Sequence, residues 1–171
     1  MRDKSGIGGV RVKKKVLSVC CTFMLVICML LISTNNVQAA SEDPILDGSY
    51  LTHDGESIGY ATSFTRGLDL MAGYSKCVRL GPGKIYAGGT TIAEHEVNSV
   101  RVSVIIERAK KGDTAWTYYD NWYKQNDNAD RVSSNRTLEV EGDYYYRVRC
   151  IHSAHLDVGE SFTDGVYIEK P

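Results

Sequence analysis

The sequence contains no phosphate-cradling glycine loop and no Gly-x-Ser-x-Gly elbow, which removes P-loop and α/β-hydrolase chemistry from consideration. Strong helical periodicity is missing between Ala40 and Pro171, so a helical bundle is excluded as well. The chain has 20 basic and 21 acidic residues; residues 1–39 hold six and one, so residues 40–171 keep 14 and 20, a net charge of −6. That balance disfavours a nucleic-acid partner, because phosphate binding relies on clustered Lys and Arg. No cofactor is implied.

What is present begins with a leader. Arg2, Lys4, Arg11, Lys13, Lys14 and Lys15 stand against Asp3, and Val16–Ile32 is an unbroken run of apolar and small residues. Ser33–Ala40 is polar and ends in small residues. A basic end, an apolar middle and a small-residue exit make a helical export signal, residues 1–39, with cleavage after Ala39 in Val37-Gln38-Ala39. The alternative is an uncleaved membrane anchor at residues 16–32, whose 17 residues reach the lower edge of a span. Lipid attachment at Cys28 is disfavoured by bulky Ile27 before it. The expected location is therefore secreted or extracellular, with contact to a membrane only through a retained leader.

Cys20, Cys21 and Cys28 leave with the signal, and Cys77 and Cys150 remain. An even number in an exported chain predicts one intramolecular disulfide, Cys77–Cys150. Two buried free thiols are the alternative, because a sequence cannot show that the side chains meet.

Residues 40–66 are polar and broken by Pro44, Gly48, Gly55 and Gly59, which reads as a flexible arm. Residues 67–171 form one β-domain of short strands alternating with turn residues. The predicted strands are Leu68–Leu80, an extended Lys84–Val97 with Gly88-Gly89 as hairpin or bulge, Ser99–Arg108, Thr114–Lys124, Val132–Val140, Tyr144–Ile151 and Ser161–Glu169. Gln125–Asp130 and Ser153–Gly159 are predicted loops, and Phe162, Val166 and Ile168 are available to the core. Val100, Val102, Val104 and Ile106 alternate with Arg101 and Ser103, so one face of that strand is buried.

About seven strands at this spacing predict an all-β fold, a β-sandwich. Leu138, Gly142 and Tyr144 resemble the tyrosine corner of immunoglobulin-like and fibronectin-like sandwiches, which implies a Tyr144 hydroxyl bonded back to the chain. Four stretches carry a further resemblance: Ser75-Lys76-Cys77, Val104–Arg108, Tyr144–His152 and Ser161-Phe162-Thr163-Asp164-Gly165. Together they resemble a family of small exported proteins of Gram-positive bacteria, a domain of unknown function, over about Gly67–Ile168. The resemblance implies export and one β-domain, and no catalytic motif comes with it.

Candidate chemistry is sparse. His152, His155 and Asp157 are types that bind zinc, but no further ligand pair accompanies them. Asn126–Asp130 is oxygen-rich, yet Arg131 and Thr137 stand where a calcium loop needs Gly and Glu. All 11 tyrosines and both tryptophans follow the leader. Tyr119, Tyr145 and Tyr167 fall on the odd faces of their strands, and Tyr145 alternates with Arg147 and Arg149 in a predicted exposed strip. Exposed Tyr and Arg anchor contacts with proteins or sugars. The function expected from the sequence is a non-enzymatic module that binds a protein or glycan at the cell surface. The alternatives are a metal-dependent hydrolase using His152, His155 and Asp157, and a structural envelope protein.

Overall fold

A computed structural model describes residues 44–62 and 67–171. The leader, the Ala39 cleavage site and the alternative anchor lie outside the described residues. Within them the chain is all-β: β1 (Ile45–Leu46), β2 (Ser49–Thr52), β3 (Glu56–Tyr60), β4 (Leu70–Gly81), β5 (Lys84–Ala109), β6 (Thr117–Glu139), β7 (Tyr144–Ala154), β8 (Asp157–Phe162) and β9 (Gly165–Ile168). They form one mixed sheet in which β2 and β9 run parallel and every other pairing is antiparallel.

The 26-residue β5 organises the rest. β6 follows one edge of β5 along both of its halves. The other edge is divided: β4 takes Lys84–Ala93 and β7 takes Val100–Ala109. Between those two partners the sheet curls, and β4 comes to face β7. Cys77 on β4 thereby donates its thiol to the Tyr146 carbonyl on β7 at 3.6 Å. The enclosed core holds Ile85, Ala87, Val100, Val102, Val104, Ile106, Val132, Tyr146, Val148, Val166 and Ile168.

Lys84–Val97 and Ser99–Arg108 are thus a single strand. Odd residues Ile85, Ala87 and Ala93 are buried in its first half, and even residues from Val100 to Ile106 in its second. A register shift lies between Ile92 and Val97, and the inward parity changes between Val97, still in the core, and Val100, which in the sequence resembles an interruption. β6 is likewise continuous through Gln125–Asp130, so the predicted loop there is strand. Gly88-Gly89 is neither hairpin nor bulge. A Cβ on Gly89 would run into Cys150 Sγ, so glycine is what lets the facing strand approach.

Other expectations need correction. The predicted loop Ser153–Gly159 is a tight turn at His155-Leu156, with Ala154 paired to Asp157. The last predicted strand divides into β8 and β9, and Phe162 is exposed rather than in the core. Residues 44–60 are not a loose arm, since β2 pairs with β9 and β3 pairs with β4. The corner bond comes from Tyr146, whose hydroxyl donates to the Glu141 carbonyl at 2.9 Å, and not from Tyr144.

Cys77 and Cys150 are both fully buried and both free, so the predicted disulfide is absent. The reason is placement along the strands. Cys77 meets Tyr146, four residues before Cys150 on β7, while Cys150 Sγ lies over Gly88 O at 3.9 Å. The two thiols are thus each turned to a different carbonyl and not to each other. Burial pushes the Cys77 thiol up to about 12 and raises Cys150 as well. We expect no thiol of the protein processed after Ala39 to react with Ellman's reagent until it unfolds, and then two. Unfolded, non-reduced protein without titratable thiols would show that the bridge forms.

Candidate functional site

β7 exposes its odd side chains to the outside of the curled sheet, and that outer face has two halves of different fate. In the upper half, Ala109 pairs with Tyr145 and Glu107 with Arg147. Both β7 side chains are 4% exposed. The amino-terminal segment, expected to be a flexible arm, folds over them. Leu46 and Leu51 pack with Ala109 and Tyr145, flanked by Trp116 and Tyr167.

Arg147 holds this cover in place. Its Nε donates to Glu107 Oε2 at 2.7 Å, Nη1 to Asp47 O at 3.0 Å and Ser49 Oγ at 3.1 Å, and Nη2 to Asp47 Oδ2 at 3.3 Å. The guanidinium lies 4.7 Å from the Trp116 ring, and Trp116 Nε1 donates to Leu46 O at 2.9 Å. A buried cation is tolerable only when its donors are paired, and here they are.

The predicted exposed strip is therefore corrected. Tyr145 and Arg147 are buried. Tyr119 is half-buried and meets Tyr146 edge-on with ring centroids 5.4 Å apart. Tyr167 is half-buried against Tyr145 and His53, and its hydroxyl donates to Asp143 Oδ1 at 3.2 Å. Arg149 alone stays on the open half, half-exposed and ion-paired with Glu160.

The lower half of the face is uncovered by the described residues. It is built from four neighbouring strands in register. One row runs Glu160, Ile151, Ser103 and Tyr123; the next runs Phe162, Arg149, Ile105 and Asn121; a third runs Val158, Ser153, Arg101 and Gln125. Tyr123 is 64% exposed and carries the Arg101 guanidinium 4.3 Å from its ring centroid. Ile151, Val158 and Phe162 are exposed around the Arg149–Glu160 pair. An open sheet face combining aromatic, aliphatic and Arg side chains has the composition of an interaction surface. Strand alternation could have placed Arg101 and Tyr123 outward. Nothing in the alternation says which half of the face the preceding segment covers.

The proposed metal residues disperse. Asp157 Oδ2 accepts the amides of Asp69 at 2.7 Å and Leu70 at 3.0 Å. His155, at a left-handed φ of 52° in the hairpin turn, directs Nδ1 to Asp69 Oδ2 at 3.2 Å, and His95 Nε2 meets Asp69 Oδ1 at 3.2 Å. Among the described residues no group of three or more His, Cys, Asp or Glu is arranged to hold a metal ion.

His152 is wholly buried in a polar chain through the core. Thr91 Oγ1 gives its proton to Arg101 O at 2.9 Å, so at 2.9 Å it accepts from His152 Nδ1–H. Nε2 then accepts from Ser161 Oγ–H at 2.8 Å. The pairing resembles a serine with its base, but both side chains are inaccessible and the ring packs where a Cβ on Gly73 would stand. On β4's outward side a separate open groove of about 260 Å³ is lined by Lys76, Val78, Leu80 and Tyr86, with Lys76 paired to Glu56.

Compared with protein-family models, with curated proteins and with solved structures, the chain gives no match.

Burial, only partly opposed by Glu160, lowers the His152 pKa from 6.5 to about 4. The unfolded chain then binds the extra proton below pH 6.5 while the native one does not, so stability falls as pH drops. We expect a loss of roughly 3 kcal/mol between pH 6.5 and 4 from this residue. Urea unfolding across that range is the measurement, with a shallower pH slope expected for His152→Gln. An unchanged slope would contradict the buried neutral imidazole.

Proposed function

We propose that this chain is an exported, non-enzymatic module of a Gram-positive cell surface that binds a protein or glycan through the open half of its outer face. The observation that carries the reading is the cluster of Tyr123, Arg101, Ile151, Val158, Phe162 and Arg149 on four registered strands. The basic-apolar leader and the family resemblance support export. The curl that sets β4 against β7 supports an immunoglobulin-like or fibronectin-like sandwich, as does the Tyr146 corner bond.

Rigid strands suit this role. Aromatic and Arg groups fixed on a sheet lose little freedom on binding, so their contact area converts efficiently into affinity. The hydrolase alternative lacks a comparable constellation, because His152 has both ring nitrogens engaged and Asp157 serves two backbone amides. An envelope-structural role would use the same scaffold without a ligand.

Retention of the exported protein on intact cells and cell-wall preparations tests the proposal. Tyr123→Ala combined with Arg101→Ala is expected to weaken retention at least tenfold, a loss of about 1.4 kcal/mol or more. Leu80→Ala, on the opposite outer surface, should leave it unchanged. Equal retention of all three proteins would remove the open face from the function.

A further inference from the structure

β6 runs for 23 residues and pairs with β5 along one edge only. Among the described residues no strand pairs with its second edge. The strand contains no proline, and side chains of the strand itself engage the Asn121 amide (from Asp120) and the Arg131 and Glu139 carbonyls (from Asn126 and Tyr119). An edge this long is a template for another strand. The third row of the open face and its neighbours end on this strand, so a partner added here would extend that face.

The shape of β6 restricts what can pair with it. Asn128 takes a left-handed φ of 48° beside the register shift between β5 residues Ile92 and Val97. A straight partner would match only one side of this irregularity. A second β6 matches both sides if a two-fold axis passes through Asn128, because the two irregularities then coincide. That register opposes Asp120 to Arg136 and Gln125 to Arg131, and sets no like charges against each other. From Asp120 to Arg136 even and odd residues stay on their own faces, so each copy's core side remains a core side there; the second register shift, between β5 residues Ile106 and Glu107, ends the matched ladder. Moving the axis to Asp127 would set that carboxylate against its own copy.

We infer that β6 is the seam of a symmetric homodimer, in which two copies pair antiparallel through their open edges about an axis at Asn128. The partner is a second copy of this chain, and closed two-fold pairing leaves no further edge of β6 for growth. The inference is independent of what the open face binds.

Sedimentation of the processed form released by an exporting host is the test at micromolar concentration. The expected species is a dimer. Arg136→Asp sets carboxylates against each other and should weaken association at least tenfold. Adding Asp120→Arg restores opposite signs and should restore the dimer, which separates the seam from lost stacking of Arg136 on Trp122. Asn128→Cys should cross-link on oxidation, since directly opposed residues on paired antiparallel strands lie within about 5.5 Å. A monomer at 100 μM would overturn the inference. So would a dimer indifferent to Arg136→Asp, or one that Asn128→Cys does not cross-link.

Discussion

A guanidinium buried between the amino-terminal segment and the outer sheet face is the constraint on which the extent of the open face depends. Arg147 at 4% exposure requires partners, and they come from three places: Glu107 on β5, Asp47 in the first turn and Ser49 on β2. Ser49 passes the connection on, donating its own hydroxyl to Thr163 O at 2.8 Å. One cation therefore fixes the β1–β2 hairpin, the entry to β9 and the Trp116 ring together. Breaking a buried pair of this kind costs about 3–5 kcal/mol, because the remaining carboxylate is left without its partner. The cover ends where these bonds end, and the open half of the face begins there.

The second constraint is the divided edge of β5. One strand that serves β4 and β7 in succession must let the sheet curl between them, and the curl encloses the core. The same geometry explains the core's polar content. Thr91, His152 and Ser161 sit at the crossing, each with its hydrogen bonds met, as buried polar groups must be. It also explains the free thiols. β4 and β7 face each other in a register that sets Cys77 against Tyr146 and Cys150 over Gly88.

The all-β class, the buried even face of Val100–Ile106 and the inward direction of Tyr146, Val148 and Cys150 were legible in the sequence, because each is a local consequence of period-two alternation. The failures concern relations between distant segments. Tyr145 and Arg147 do lie on the outer side of β7, as their parity requires. Their burial depends on residues 44–52, roughly a hundred positions earlier. One local signal for that cover was available: Asp47-Gly48 between Ile45-Leu46 and Ser49–Thr52 is a hairpin turn sequence, and both residues take positive φ, 46° and 78°. The order of that segment and the burial of the strip are thus one structural fact. The disulfide failed for a related reason, since cysteine count and compartment carry no information on register.

The open half of the outer face lies on β8, β7, β5 and β6, so a cover anchored by Arg147 sets how much of that face is left exposed. The most direct measurement is amide hydrogen exchange on Arg147→Met, which keeps apolar volume and removes the guanidinium. Protection should fall at least tenfold at Ser49–Thr52 and Gly165–Ile168, while Val102–Ile106 on β5 stays protected. Unchanged protection at β2 and β9, or an equal loss throughout the sheet, would contradict Arg147 as the clamp.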